Sequence, residues 1–455
     1  MERIDAVLEI SVDYAWGLPL LTLLIGGGGF FLAFSRFLPF QGLRHSLEIL
    51  RGKFDRVDDP GDISHFQALS TALAATVGMG NIGGVAIAIT QGGPGALFWM
   101  WLAAVVGMAT KFFTCTLAVM FRGEDSLGRI QGGPMYYIEV GLGKRFVPLA
   151  VFFSICGMIG CLSMFQSNQM AEILEAAYGV PPWLTGGAAV LLVAVVILGG
   201  IVRIARVAGA LVPAMCFLYL IACGFIAAMN VEKIPGLVYQ IFHDAFTGTA
   251  AVGGAAGIGF LTVMQTGIKR AAFSNEAGIG TAPMAHGAAR TREPVREGLV
   301  AMLGPFIDTI VVCSLTAVVI LSAADWREVD GVQGVSLTIQ AFQNSMGAFG
   351  KLALVVIVCC FGLSTMFGYS YYGRKCFAYL FGARRSHLYN YFYLAMLYVG
   401  AVWTASMVVN LMDTAFALMA WPNMAAALLL APRVLEATRS YFRRHPQAAG
   451  LRRSP

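Results

Sequence analysis

Gly78-Met79-Gly80-Asn81-Ile82-Gly83-Gly84, in the middle of the apolar run 66–101, decides how this chain is read. Four glycines and an asparagine at the midpoint of a membrane span weaken the helix where lipid most penalises exposed backbone, so the segment must face protein or a ligand. A helix broken at mid-membrane exposes carbonyls that can coordinate a cation. The N–H groups that open its second half suit a carboxylate. Close helix packing through small residues is the competing reading of any such cluster.

The rest of the composition supplies the membrane. Of 455 residues 58% are hydrophobic and 12% charged, and mean hydropathy is +0.71, far outside the range of soluble domains. The fold class expected is an all-α polytopic membrane protein. Ahead of the first apolar run Glu2, Asp5, Glu9 and Asp13 outweigh Arg3, so no basic leader and no cleaved signal are expected. The nine cysteines lack metal-ligand spacing and read as small core residues. The net charge of +6 follows from the sidedness of the loops, and no nucleic-acid partner is expected.

Windows of about 20 apolar residues predict eleven spans near 16–38, 66–90, 95–120, 147–177, 182–202, 207–229, 256–289, 297–322, 346–370, 388–408 and 411–432. Connections 36–65, 121–146, 203–206, 290–296 and 374–387, with the tail from Arg433, hold 24 of the 31 Lys and Arg; the opposite side holds Arg3, Lys233, Arg327 and Lys351. The positive-inside rule then sets the N-terminus outside and the C-terminus in the cytoplasm of a cytoplasmic (inner) membrane protein, which requires an odd number of spans. The first span reads as an accessory helix. Segment 41–65, with Arg44, Arg51, Lys53 and Arg56 among leucines, reads either as an amphipathic helix on the inner leaflet or as a solvated loop.

The window 256–289 is too long for one straight crossing, and its centre is Phe273-Ser274-Asn275-Glu276-Ala277-Gly278. This is a second candidate break. It shares Asn-x-x-Gly with the first (Asn81 and Gly84, Asn275 and Gly278), and each break leads to a proline-marked turn, at Pro94 and Pro294. About five spans separate the two, and they enter from opposite sides, as an inverted repeat requires. Thr247 to Gly257 is a rival position; with 273–278 preferred, 235–250 becomes an external helix over the site. The expected division is 1–65 as N-terminus, accessory span and linker, 66–230 and 231–432 as two five-helix repeats, and 433–455 as a basic tail.

With these segments in view the chain resembles the alanine or glycine:cation symporter family. The residues that carry the resemblance are Gly80-Asn81-Ile82, Gly92-Gly93-Pro94-Gly95-Ala96 with Phe98-Trp99-Met100-Trp101, Gly132-Gly133-Pro134-Met135-Tyr136-Tyr137, Phe273 to Gly278, and Phe306-Ile307-Asp308-Thr309, along most of 66–423. The resemblance implies the leucine-transporter fold, ten core spans in two inverted fives, and Na⁺-driven uptake of a small neutral amino acid such as alanine or glycine by alternating access. Three positions depart from the family pattern: Met79 for threonine, Tyr369 for tryptophan and Thr114 for glutamate. The last leaves Lys111 without a local carboxylate.

A zwitterion at mid-membrane needs both charges met. N–H groups around Met79, Gly80 and Asn81 are assigned its carboxylate, and carbonyls near Phe273, Ser274 and Asn275 its amine. Gln166, with Asn168, offers a side-chain hydrogen bond or an interhelical one. Phe273 and Tyr369 limit substrate size, and Glu276 is counted with the substrate residues. The resemblance implies a Na⁺ site of Ser364 and Thr365 opposite Ala74 and Val77; the alternative is that both hydroxyls bond their own helix. Among the embedded charges, Glu276 is expected to pair with Arg270 or Lys269 and Asp308 with Lys111, while Asp413 is expected to be hydrated near the outer end of its span. His286, a side-chain type that titrates near neutrality, would matter if protons replaced Na⁺; the alternative is that it only packs on its half-helix. No cofactor beyond the coupling ion is expected, and the protein is expected to work as a monomer in the lipid bilayer. H⁺-coupled transport of a related zwitterion, and a channel, are the alternatives; no catalytic constellation or phosphate-binding loop points to an enzyme or an ATP-driven pump.

Overall fold

A computed structural model describes residues 11–446 apart from 13, 57, 248–258, 325 and 327–333. The accessory helix α1 (Leu18–Ser35) leads to the short α2 (Leu43–Leu50), then to α3 (His65–Thr76) and α4 (Val85–Gly92). There follow α5 (Ala96–Met120), α6 (Val147–Gly160), α7 (Met164–Tyr178), α8 (Pro182–Ile197), α9 (Gly200–Met229) and α10 (Ile234–Thr247). Helices α11 (Phe260–Asn275) and α12 (Ala282–His286) precede α13 (Pro294–Ala323), α14 (Val335–Phe381), α15 (Ser386–Val402) and α16 (Ala405–Arg444).

Seven helices among the described residues are each long and apolar enough to cross a membrane, and the pair α3–α4, bent by 54°, makes an eighth. The shorter α8, the pair α11–α12 and α15 occupy the remaining three windows. Segment 41–65 is helical over Leu43–Leu50, with His45, Ser46 and Ile49 buried. The predicted external helix is α10, seen to Thr247. The rival break, from 248 to 257, and the acidic residues at 2, 5, 9 and 13 lie outside the described residues.

Local chemistry explains where these helices start and meet. Ser64 caps α3 in a capping box: its Oγ accepts from Gln67 N–H (3.2 Å), and its own N–H donates to Gln67 Oε1 (3.0 Å). Helix α5 carries α1, α11 and α13 on its sides, while α3 packs between α9 and α14. Without the spare volume of Gly28 the first contact could not form, because a Cβ there would overlap Val106 and Thr110 of α5. Trp99 Nε1 donates to Ala245 O (3.0 Å) and Trp101 Nε1 to Ser314 Oγ (2.8 Å), so the aromatic motif docks α10 and α13 onto α5. Leu191, Val195, Phe217 and Ile221 of α8 and α9 point outward, as a lipid-facing belt requires.

Candidate functional site

The first break lies at the start of the glycine run, over Val77 and Gly78, rather than at its centre. Helix α3 ends at Thr76, Val77 turns to an extended ψ of 95°, and Gly80–Gly84 winds as a π turn that continues into α4. The cause is Asn81, whose Oδ1 accepts the Gly78 N–H (2.8 Å) that a regular helix would have satisfied. The glycines have a different use: a Cβ on Gly80 would lie 3.2 Å from Ser274 Cα, so the two breaks touch backbone to backbone. The second break falls at 276–281, three residues beyond the start of the expected 273–278, because helix α11 keeps Phe273, Ser274 and Asn275. Glu276 adopts a left-handed φ of 54°, followed by Gly278 (92°) and Gly280 (102°). Here too an asparagine substitutes for lost helix bonds: Asn275 Oδ1 accepts from Ala277 N–H (3.0 Å), and Asn423 Nδ2 of α16 donates to Gly278 O (2.7 Å).

Both breaks hang on one residue of α13. Asn81 Nδ2 donates to Asp308 Oδ1 (2.7 Å) and to its carbonyl (3.0 Å); Ser274 Oγ (2.9 Å) and Thr309 Oγ1 (2.8 Å) donate to Asp308 Oδ2. Asn275 Nδ2 completes the set on Thr309 Oγ1 (2.9 Å). These five side chains are all buried. Asp308 lies in a π segment, Phe306–Cys313, a widened turn of the kind found at functional positions. Asp308 is therefore not an ion-pair partner of Lys111, which takes part in no ion pair among the described residues. Thr114, in place of the family's glutamate, bonds back to its own helix at Thr110 O (2.9 Å) and Lys111 O (3.4 Å).

The remaining predicted site residues fall around this junction. Ser364 Oγ reaches Ala74 O at 3.3 Å while also bonding Phe361 O (2.8 Å), and Thr365 Oγ1 bonds Phe361 O (3.0 Å) and abuts Gly78. Two hydroxyls thus meet the end of α3 beside Val77, with their helix carbonyls as present acceptors. Gln166 is buried, its Oε1 has no partner, and its backbone flanks Gly362 together with the Met79 methyl. Asn168 takes the interhelical alternative: its Nδ2 caps the end of α15 through Gly400 O (3.1 Å) and Trp403 O (2.8 Å). Phe273 packs on Phe165 (5.5 Å between centroids) and Phe416 (5.7 Å), and Tyr369 on Phe416 (6.0 Å).

Two expected charge pairs are replaced. Glu276 accepts hydrogen bonds from Tyr369 and Thr281 and meets neither Arg270 nor Lys269. Those cations point to Asp413 Oδ2, at 3.6 and 3.3 Å, and Asp413 is only 1% exposed, so an ion pair stands where an exposed carboxylate was expected. The physical reason is direction: Arg270 and Lys269 lie between one and two turns before the break and face α16, while Glu276 lies beyond the chain reversal. A cavity of about 390 Å³ bordered by Glu172, Arg270 and Asp413 opens beside them.

On the opposite side a clasp joins α3 to the segment after α12. His65 Nδ1 and His286 Nδ1 bond the two oxygens of the buried Glu297, the second at 2.5 Å, so His286 is one arm of this pairing. Arg122 donates to Gly287 O (2.9 Å), Thr291 O (3.0 Å), Pro60 O (3.2 Å) and Ala289 O. Gly132 meets Gly287 so closely that neither admits a side chain, which accounts for the Gly132-Gly133 motif. Sequence reasoning counted Arg122 only as a loop charge and missed Glu297. Asp308 beside the hydroxyl of Thr309 was the legible signal for the hub.

Two broken helices that meet between packed spans, at Gly80 and Ser274, are the arrangement of a membrane transporter. The architecture is that of the leucine-transporter fold: the chain superposes on a Na⁺-coupled sialic acid symporter with a TM-score of 0.56 at 12% identity, covering 92% of this chain and 98% of that one. The sodium:alanine symporter family matches residues 1–453, and the chain belongs to that family. It is 41% identical over 449 residues to the sodium/alanine symporter AgcS of Methanococcus maripaludis (97% of this chain, 98% of the relative) and 34% identical over 443 residues to the probable sodium/glutamine symporter GlnT of Bacillus subtilis (97% and 91%).

Proposed function

We propose that this protein is a secondary symporter that takes up a small neutral amino acid, alanine or glycine, with Na⁺ as the coupling ion. The observation that carries the proposal is the junction at Asp308, where hard oxygens of Asp308, Ser274 and Thr309 and the Asn81 amide collect between the two breaks. A Na⁺ ion takes such ligands by the same hard-donor logic as other main-group cations. In this reading Na⁺ replaces some of the hydrogen bonds at that junction or sits between Ser364, Thr365 and the carbonyls of Ala74 and Val77. The substrate carboxylate meets N–H groups at Met79, Gly80 and Asn81. Its ammonium meets carbonyls of Phe273, Ser274 and Asn275 and the Gln166 Oε1, a buried acceptor otherwise left unsatisfied. Phe273 and Tyr369 bound the side chain, and Glu276 fixes Tyr369 by hydrogen bond. The two halves 66–230 and 231–432 act as inverted repeats in the cytoplasmic membrane, N-terminus outside and C-terminus inside.

The test is uptake of labelled alanine, glycine and glutamine into proteoliposomes under an imposed Na⁺ or H⁺ gradient. Alanine or glycine accumulation driven by Na⁺ is expected. Accumulation driven by H⁺ alone would replace the coupling ion, preferential glutamine uptake would replace the substrate, and indifference to both gradients would remove symport.

A further inference from the structure

On the side of the clasp, the cytoplasmic side in the orientation proposed above, a cavity of about 630 Å³ opens between the ends of α14 and α15, the loop 125–131 and the turn between α8 and α9. Three cations border it: Arg129, Arg374 and Lys375. None of the three takes part in an ion pair among the described residues. Lys375 is 5% exposed, and its Nζ donates only to neutral acceptors, Met284 O (3.0 Å) and Tyr371 OH (3.1 Å). Arg374 Nε donates to Ser386 Oγ (3.2 Å), which leaves the outer edge of its guanidinium for another acceptor.

The two acids that border the cavity form no ion pair with these cations among the described residues. Asp125 is used by its own turn: Oδ1 accepts from Leu127 N–H (2.8 Å) and Arg129 N–H (3.1 Å), and Oδ2 from Gln131 Nε2 (3.4 Å). Asp62 is exposed and bridges to no cation. A buried ammonium whose hydrogen-bond partners are neutral, with Asp62 and Asp125 acting on it only from beyond ion-pair distance, leaves room for a mobile counterion. Two guanidinium groups beside it favour a tetrahedral oxyanion over a halide, since the fork of N–H donors matches its oxygens. The far wall is the turn Gly199–Val202, whose Val202 is exposed next to the outward-facing Leu198, so the cavity lies against the acyl region. Basic pockets between spans on this side of a membrane hold lipid headgroups.

We propose that this cavity binds a phosphate-bearing anion, either the headgroup of an anionic inner-leaflet phospholipid or a soluble phosphate ester, held by Arg129, Arg374 and Lys375. The site is separate from the broken helices, so its test does not depend on what the protein carries. Wild type, Arg129→Gln and Arg374→Gln are extracted from vesicles of phosphatidylglycerol or of phosphatidylcholine and weighed intact with bound lipid. In parallel, the thermal midpoint of delipidated protein is followed against inorganic phosphate at constant ionic strength set with sodium chloride. Retained phosphatidylglycerol but not phosphatidylcholine assigns the lipid source; a saturable midpoint rise with phosphate assigns the soluble one. In either case each variant is expected to bind about tenfold more weakly, as loss of a charge-assisted contact implies. These two variants leave Lys375, which also ties α14 to Met284, in place, so folding is preserved. Variants that bind like wild type, or a wild type that responds to neither ligand, would overturn the proposal.

Discussion

Asp308 receives three side-chain hydrogen bonds from three different segments, and no cation is among its direct partners. A buried carboxylate satisfied only by neutral donors keeps its charge available to an incoming ion. Asp308→Asn should therefore raise the Na⁺ concentration for half-maximal uptake by more than about tenfold, since charge-assisted contacts are roughly twice as strong as neutral ones. An unchanged Na⁺ response in the folded variant would take this residue out of the ion path. The sequence displayed Asp308 beside Thr309 but gave no measure of direction, and so it was matched with Lys111 by charge alone. Asn81 and Asn275 were legible as a pair because asparagine is one of few residues able to mimic a peptide group. That the helix would bend at Val77, with the glycines serving contact with Ser274, depends on a neighbour that sequence order does not display.

Helices α3, α12 and α13 are joined by Glu297 between two imidazoles, and this clasp predicts a large stability effect. Glu297→Ala strands His65 and His286 in a buried site and should cost about 3 kcal/mol, the range for breaking a buried pair, read as a drop in the thermal midpoint. A second effect belongs to α2, which lies outside the spans. His45 bonds Tyr441 OH (2.7 Å) at the end of α16 and Glu48 (3.4 Å), with Arg296 and His445 nearby. Burial holds its imidazole below the ordinary value of 6.5, against the opposing pull of Glu48. The folded form thus takes up a proton less readily than the unfolded one. The contribution of His45 is complete above 6.5 and is lost as pH falls from there toward the folded value. Amide exchange of residues 43–50, corrected for intrinsic rates, should accelerate as pH falls below 6.5, and His45→Gln should remove that acceleration. At this scale eight of the apolar windows fall on the seven helices long and apolar enough to cross and on the bent pair α3–α4, because length and hydropathy are local properties.

For the whole molecule the distribution of Lys and Arg makes the orientation testable. Lys53→Cys should react with a membrane-impermeant thiol reagent only from the cytoplasmic side and Lys233→Cys only from outside, measured in right-side-out and inverted vesicles; the reverse pattern would invert the proposed topology. Most native cysteines are buried and give a low background. The two asparagines pull on opposite sides of the same short stretch of α13, one through Asp308 and the other through Thr309. A double hinge pinned at a single peg cannot swing one leaf alone. Slippage, in which the ion runs down its gradient without cargo, is the fault such a pin suppresses, and cutting it should show first as a futile leak current rather than as slower work.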